Sequence, residues 1–396
     1  MAWHNERAGN SMTVWQILGL SRAPLAAFGA MGILWGTYAA VFPDLKAMLG
    51  VGEARLGQLI LATPLAAVCA MLAAPRYGAL AGRIALPVAA LCMALAFTLP
   101  GQTASLLLFP LAMMACGAAT GLTDVLMNAR VAQIETERNL HLMNLCHAAY
   151  SLGYAGGAIL TGLLRGMDWG PDWVMGAMGA IAAALALLTL ERDGRITGLC
   201  KPPGGTARPL GLVPVVGGAI VLIAFLTENA AENWSALHIE KTLGGSPEQG
   251  AAGPAMLALT MGLARLAGQG LLKHISPYRL LAGGATVSAL GALGAALAPS
   301  PAFAYAGFIV MGLGSSVIAP TAFSLVGRLS APEARARAVA RATLLGYFGY
   351  FFGPPLLGLI AGGLGLRFAF VFAAVMLAAV WALAPAMARA GSARGA

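Results

Sequence analysis

Residues 106–126 read LLLFPLAMMACGAATGLTDVL, an apolar run that contains one charged residue, Asp124. A helix needs about 20 predominantly apolar residues to cross a bilayer, and this run is long enough. A carboxylate at the bilayer centre costs roughly 2.5–3.5 kcal/mol on insertion scales, so an acid kept there is by default a candidate functional group. The stretch therefore predicts a transmembrane helix that carries a functional acid.

The composition of the whole chain is typical of a protein that crosses the membrane many times. Of its 396 residues, 59% are hydrophobic and only 10% are charged, whereas a soluble domain carries about 25% charged residues. Hydropathy predicts an all-α membrane protein with twelve transmembrane helices. Their predicted bounds are 24–43, 57–75, 84–100, 105–128, 142–163, 173–190, 211–231, 254–272, 280–298, 303–327, 340–362 and 367–387.

The placement of lysine and arginine predicts the orientation of these helices. With the N-terminus inside, most of the 24 basic residues fall on the inner side, and Arg265 falls within a span. The basic residues on the outer side are Lys46, Arg55, Arg165, Lys241 and Arg367. The positive-inside rule then places both termini in the cytoplasm. Because the basic residues are scattered over short loops, we expect no nucleic-acid partner.

A polar connection divides the chain into two similar halves. Residues 191–208, ERDGRITGLCKPPGGTAR, separate six predicted spans from six. Residues 152–157, LGYAGG, match residues 345–350, LGYFGY, at corresponding places in the two halves. Parallel repeats of this kind place a substrate site between the halves, near the membrane midplane. We predict an N-terminal six-helix bundle, a cytoplasmic linker and a C-terminal six-helix bundle at 1–190, 191–210 and 211–396.

Twelve spans, a central inner linker and basic inner loops resemble the major facilitator superfamily. Some strings further resemble bacterial inner-membrane members distantly related to fucose–proton symporters. These strings are WGTYAAVFPDLK (35–46), GLTDVLMNAR (121–130), MNLCHAAYSLG (143–153), ENAAENWSAL (228–237), RLAG (265–268) and GYFGYFFGPPLLG (346–358). The resemblance implies a secondary transporter that works by alternating access in the inner membrane, with a small-molecule substrate.

The chain departs from that family in the loop after its second span. Residues 78–86, GALAGRIAL, keep Gly78 and Arg83 but carry Gly82 where the family carries an acid. In the second half, Gln269 stands where the repeat often has an acid. A set of charged residues that closes the cytoplasmic side is therefore absent or built from other residues. Arg83 stays a candidate for gating.

Asp124 and His147 are the first candidates for proton coupling. Six residues at 1.5 Å per residue place Asp124 about 9 Å from Arg130 at the inner loop, and His147 lies at a similar depth. Their helices are antiparallel neighbours, so the two side chains are expected to approach each other. Three interpretations are open: the two residues form a proton relay, they form a structural hydrogen-bonded pair, or they do not touch. Asn128 and Asn144, one turn nearer the cytoplasm, extend the same polar cluster.

Glu228 is the second acid expected within the membrane. Glu228 and Glu232 are four residues apart and share one helix face, with Asn229 beside them. Two acids on one face repel, which favours binding of a proton or a cation. Glu228 lies on the translocation path or at a solvated outer rim. Glu232 and Trp234 are predicted to lie at the membrane interface, where tryptophan is common.

Four further residues are candidates for gating. Arg265 extends inward to the interface, pairs with an acid, or binds an anionic substrate; we favour a structural or gating role. Arg130 is a loop charge or lies on an extended helix that gates the inner side. Gly353 and Pro354 interrupt the hydrogen bonding of their span and predict a kink or hinge.

Aromatic residues with polar tips complete the predicted cavity. These are Trp35, Tyr38, Tyr150, Tyr154 and Tyr347, which line the substrate path or pack ordinarily. Together the observations predict a proton-coupled secondary transporter, with a proton-antiporting exporter of amphipathic compounds as the alternative. Because the motifs of hydrolases, zinc proteases and nucleotide-driven pumps are missing, we expect no enzyme activity, no cofactor and no metal. We expect a monomer.

Overall fold

Every regular element of the computed structural model is helical within the residues it describes, which are 13–140, 142–197, 210–271, 275–331 and 334–392. The first helices are α1 (Val14–Leu20), α2 (Arg22–Leu49), α3 (Glu53–Leu59), α4 (Ala62–Ala81), α5 (Ala85–Ala96), α6 (Leu108–Arg138), α7 (Met143–Gly166) and α8 (Pro171–Leu187). The others are α9 (Val213–Leu243), α10 (Pro247–Leu271), α11 (Pro277–Leu297), α12 (Pro301–Leu329), α13 (Arg335–Leu364), α14 (Leu366–Ala378) and α15 (Val380–Ser392).

The helices are long and apolar enough to cross a membrane repeatedly. Nine stretches of the described residues meet the length and hydropathy required. One of them, Glu53–Gln102, is 50 residues long and reverses at Gly82, where φ is +59°. It crosses twice, because a single crossing takes only about 20 residues. With α7 and the shorter apolar helix α8, the described residues provide twelve helical segments for crossing, and the predicted all-α membrane fold is confirmed.

Several helices run past their predicted ends. α6 continues to Arg138 instead of 128, and α9 continues to Leu243 instead of 231. The additional turns of α9 carry polar side chains such as Asn233 and His238, which hydropathy scores as a loop. Both side chains are buried in the bundle, so these turns face other helices and not water. The second and twelfth predicted spans are each divided into two helices, α3 with α4 and α14 with α15.

Glycine pairs hold α2 against α7. Gly32 and Gly36 of α2 face the backbone of α7, while Gly153 and Gly157 of α7 face the backbone of α2. At each position an added Cβ would come within 3.0 Å of a backbone atom of the other helix. Small residues at four-residue spacing allow such close packing in lipid. We call this contact the glycine seam. α13 packs on α9 as α7 packs on α2, and there Gly349 lies against the backbone of α9.

Two groups of helices make most of their contacts internally, α1–α8 and α9–α15. They meet through α7 with α10, α3 with α13 and α2 with α9. We call the end of the bundle that holds the first turns of α2, α7 and α9 the terminal face, and the opposite end the Arg165 face. Of the predicted linker, residues 198–209 lie outside the described residues. Residues 191–197 lie against the first group at the terminal face.

Candidate functional site

A cavity of about 870 Å³ lies between the two groups of helices. Residues of α2, α4, α6 and α7 form one wall, and residues of α9, α10, α12 and α13 form the other. The lining reaches Met143 and Asn144 in the first turn of α7, at the terminal face, and extends inward to Tyr38 and Pro354. The cavity is therefore accessible from the terminal face and ends before the Arg165 face.

Glu228 and Asn229 lie deep in the C-terminal wall of the cavity. Each side chain is only 6% exposed. Glu228 Oε1 and Asn229 Oδ1 have no hydrogen-bond partner within the part of the chain that the structure describes. A buried acceptor left without a donor costs about 1–3 kcal/mol. The two atoms are thus arranged to accept hydrogen bonds from something that enters the cavity.

Glu232 and Trp234 do not lie at the membrane interface, and that prediction is wrong. Glu232 lines the cavity one turn after Glu228, and Trp234 is fully buried against the ring of Phe42 at 5.6 Å. The reason is the length of α9, which continues nine residues beyond Trp234 to Leu243. Both side chains are therefore inside the bundle, and a solvated outer rim does not describe the surroundings of Glu228.

Asp124 and His147 line the same cavity but do not touch. The Nδ2 of Asn128 donates to the Asp124 carboxylate at 3.0 Å and to its backbone oxygen at 2.8 Å, and the His147 ring packs edge-on against Phe28 at 5.0 Å. No ion pair joins Asp124 to His147 among the described residues. α6 packs mainly on α4 and α5, whereas α7 packs on α2 and α10. A short connection therefore does not bring their side chains together.

Arg265 enters the cavity from α10 with almost no bonded partner. Its Nε donates one long hydrogen bond of 3.4 Å to the backbone oxygen of Ser316. No carboxylate lies within 4.0 Å of it in the described parts of the chain. It is close enough to Glu228, Glu232 and His147 to interact with them electrostatically. Its charge therefore faces the cavity, and is not anchored at the membrane surface.

The aromatic candidates surround this charged centre. Trp35, Tyr38, Tyr150, Tyr154 and Tyr347 all line the cavity. Tyr350 lines it too and stacks on Phe225 at 4.7 Å. Asn144 and Asn229 also line the cavity, whereas Asn128 reaches it only through its bond to Asp124.

The gating candidates occupy different places. Pro354 lines the cavity, and its backbone oxygen lies against Gly57 of α3, across the two groups of helices. Gly353 lies against Asn229. α13 continues through Gly353, Pro354 and Pro355 as one helix, although proline has no backbone N–H to donate, and the kink or hinge stays a prediction. Arg83 is exposed in the turn between α4 and α5.

Arg130 is part of an extended α6, and its interpretation as a loop charge is wrong. Its side chain is 9% exposed and its Nε binds the Glu191 carboxylate at 2.9 Å. The guanidinium also donates to the backbone oxygen of Asp193 at 3.4 Å. These bonds fasten residues 191–193 to the first group of helices, so the ion pair at the terminal face lies within one half.

A second ion-pair cluster, which sequence reasoning missed, closes the Arg165 face. Arg165 of α7 donates to both carboxylate oxygens of Asp44 on α2, at 2.6 and 2.7 Å, and to both of Glu240 on α9, at 2.7 and 3.1 Å. Beside it, Lys46 pairs with Glu53 at 3.0 Å. Hydropathy had assigned these charges to outer loops. The only available signal was that an isolated Arg165 and several acids fell near the same predicted membrane surface.

Comparisons with known proteins agree with this architecture. The family profile described as the Major Facilitator Superfamily matches residues 217–393. An uncharacterized MFS-type transporter of Yersinia pestis is 30% identical over 370 residues, which cover 92% of this chain and 94% of the relative. Membrane protein MosC of Rhizobium meliloti is 26% identical over 256 residues, which are 65% of this chain and 62% of that protein.

Solved structures show the same fold at low sequence identity. A bacterial homologue of the human lysosomal transporter Spinster, crystallised in an inward-facing and occupied conformation, has a TM-score of 0.72 and 16% identity. That match covers 96% of this chain and 98% of the homologue. The nucleoside transporter NupG has a TM-score of 0.73 and 13% identity, over 93% of this chain and 99% of NupG.

Proposed function

We propose proton-coupled secondary transport for this chain, which belongs to the Major Facilitator Superfamily and is a multi-pass membrane transporter of a small molecule. The observation that carries the proposal is the cavity, where the acids Asp124, Glu228 and Glu232 face the space between the two halves. An acid inside a membrane is costly unless it binds a proton, a cation or a partner. These three acids supply protonation sites on the substrate path, with His147 as a further proton acceptor on the facing wall.

The proposed transport cycle is alternating access in the bacterial inner membrane. The excess of basic residues places the terminal face and both chain termini in the cytoplasm, so the cavity described above is open to the inside. Residues 1–190 and 211–396 act as two bundles that rock about the central site, joined by residues 191–210. The chain works as a monomer, without a cofactor.

The Arg165 cluster is the outer gate of this cycle. It joins α7 of the first bundle to α9 of the second, so its bonds must break when the bundles separate on that side. Asp44 belongs to the first bundle and keeps a partner for Arg165 when Glu240 leaves. Gly353, Pro354 and Arg83 lie at positions where rocking changes contacts, while Arg130 keeps the start of the linker on the first bundle.

A specific observation favours a second candidate, a proton-antiporting exporter of amphipathic compounds. Six methionines line the cavity: Met31, Met71, Met113, Met127, Met143 and Met261. Methionine is flexible and polarisable and suits surfaces that accept varied apolar ligands. The finer relation to fucose–proton symporters, which sequence strings indicated, stays a prediction.

Flux into proteoliposomes tests proton coupling. A thermal-shift screen of sugars, organic acids, nucleosides and amines at two pH values first selects a substrate for the purified protein. Wild type should then move that substrate against its gradient when a pH gradient is imposed, with matching proton movement reported by an internal dye. Asp124→Asn should abolish accumulation while leaving downhill exchange, and Glu228→Gln should abolish accumulation.

Glu137→Gln is the matched control, because Glu137 is an exposed acid at the end of α6 and should leave accumulation unchanged. If Asp124→Asn accumulates substrate as wild type does, Asp124 has no role in coupling. If both cavity variants do so, the proposed proton coupling is wrong.

A further inference from the structure

We infer that the substrate is an amphipathic organic cation, whose ammonium group binds beside Glu228 and Asn229, between the rings of Tyr150 and Tyr350. This inference rests on the proposed transport function and adds the chemical class of the substrate. It is carried by unbonded acceptor atoms, by the balance of charge in the cavity and by the chemistry of the cavity walls.

The unbonded atoms deepest in the C-terminal wall require hydrogen-bond donors. Glu228 Oε1 and Asn229 Oδ1 are adjacent on α9, both side chains are 94% removed from solvent, and neither atom has a partner in the described chain. With Glu228 ionised, both atoms can only accept hydrogen bonds. An ammonium group carries three donors and no acceptor, so it fits this pair, whereas a carboxylate would add a third unbonded acceptor.

The charge balance also favours a cation. Three acids line the cavity: Asp124 on α6, and Glu228 and Glu232 on α9. The basic groups that face them are Arg265 on α10 and His147 on α7, and none of the five forms an ion pair within the described residues. Arg265 and His147 together can compensate at most two of the three acids, so the cavity keeps an excess of negative charge when all three are ionised. A proton or a cationic substrate neutralises that excess.

The walls supply the remaining features of such a site. Tyr150 on α7 and Tyr350 on α13 both lie near enough to Glu228 and Glu232 for electrostatic interaction, and Tyr350 is held by its stack on Phe225. A cation within about 6 Å of an aromatic ring face gains roughly 0.5–2 kcal/mol. The six lining methionines offer an adaptable apolar surface for the rest of the molecule. The combination matches a molecule with a positive head and an apolar body.

One carboxylate cannot be neutralised by a proton and by an ammonium group at the same time. When the amine binds at Glu228, the proton held there leaves to water, and when the proton returns, the amine leaves. Proton and substrate thus compete for the same site, which corresponds to exchange in opposite directions. The inference therefore favours antiport within the proposed function.

Equilibrium binding to the purified full chain tests the inference. The probes share one ring and differ in charge: 2-phenylethylamine, 2-phenylethanol and phenylacetate. Isothermal titration calorimetry at about pH 6 and about pH 8 shows whether protons compete with the amine for the site. The amine should bind at least about tenfold more tightly than the alcohol and the acid, and more tightly at the higher pH.

Variants locate the binding site. Glu228→Gln should weaken the amine by about tenfold or more and leave the alcohol unchanged, and Glu137→Gln should change neither. Thermal unfolding shows whether Glu228→Gln folds. If it does not, Asn229→Ala and Tyr350→Leu replace it, and each should bind the amine more weakly and the alcohol as wild type does. The cation assignment is overturned if the three probes bind equally, if the alcohol or phenylacetate binds more tightly, or if no probe binds. It is also overturned if the variants bind the amine as wild type does.

These measurements need no gradient, so they separate the two proposals. Selective amine binding without proton-coupled flux refutes the proposed coupling and leaves the substrate class intact. Proton-coupled accumulation of a neutral or anionic compound supports the proposed coupling and refutes the substrate class.

Discussion

Two arginines inside the bundle have very different surroundings. Arg165, at one end of α7, is saturated: its guanidinium binds the carboxylates of Asp44 and Glu240 and the backbone oxygen of Ala40 at 2.8 Å. Arg265, in the cavity, donates one hydrogen bond of 3.4 Å to a backbone oxygen. Both carry the same charge in a membrane protein, where an unpaired charge is expensive.

The difference separates the part of the molecule that closes from the part that binds. Around Arg165, donors and acceptors satisfy one another, and one of the acids comes from the other bundle, so this region stabilises the closed state without a ligand. Near Arg265, Glu228 and Asn229 each keep one oxygen without a hydrogen-bond partner in the described chain, which a molecule entering the cavity would satisfy. Charges that are paired across the halves mark the proposed gate, and charges that are unpaired mark the proposed binding site.

Removing Arg165 should break this comparison most strongly. In Arg165→Met, Asp44 and Glu240 face each other without a cation, and breaking a buried ion pair costs about 3–5 kcal/mol. The outer gate should then fail to close, with a lower unfolding temperature and transport reduced by about tenfold or more. Flux in proteoliposomes and thermal unfolding measure both effects.

Arg55→Met is the matched control, because Arg55 is exposed on the same face and, among the described residues, bonds only Gln58. It should behave as wild type. Adding Asp44→Asn and Glu240→Gln to Arg165→Met should recover part of the lost stability, since the repulsion is removed. Wild-type transport by the Arg165 variant would show that the cluster is not a gate.

The glycine seam sharpens the comparison between the Arg165 and Arg265 regions. Rocking of the two bundles changes these regions separately only if each bundle is rigid. Gly157→Ala places a methyl group on the backbone of Ile33, and overpacking of this kind costs about 1–3 kcal/mol. Gly156→Ala, one residue away, meets nothing within 4 Å and should be neutral or slightly stabilising, as alanine favours helix over glycine. Equal unfolding temperatures for the two variants would mean that the seam does not contribute to rigidity.

The smallest expected effect concerns Arg265. Arg265→Gln removes the positive charge that opposes a cation near Glu228 and Glu232, so 2-phenylethylamine should bind about three- to tenfold more tightly, equivalent to about 1 kcal/mol. Arg265→Lys retains the charge and serves as the control, with affinity near that of wild type. Loss of amine binding in Arg265→Gln would instead assign Arg265 a direct or structural role.

The fold was predictable because it follows from local composition. Runs of about 20 apolar residues must be helical in a bilayer, where all backbone polar groups need internal partners. The deep candidates Asp124 and Glu228 followed from the same rule, since a charge inside such a run is conspicuous. Their placement in one cavity depended on the repeat, which located the interface between the halves.

The remaining features depend on pairing between distant residues. Arg165 meets Asp44 and Glu240 across 121 and 75 residues of sequence, and no local pattern contains that choice. Hydropathy ended α9 at its first polar residues because it cannot distinguish a side chain buried among helices from one in water. Asp124 and His147 were expected to meet because their helices are consecutive, but α6 packs mainly on α4 and α5, and α7 packs on α2 and α10.

The glycine seam also has a consequence for biosynthesis. Gly36 leaves the ribosome long before Gly157, by roughly 6–24 s at the usual 5–20 residues per second. During that interval the glycine face of α2 lies in the membrane without α7, its partner helix. In the same way, α9 is synthesised before its partner α13. Each half of the protein therefore becomes complete only near the end of its own synthesis, which makes these two faces the natural points for an insertion chaperone to protect.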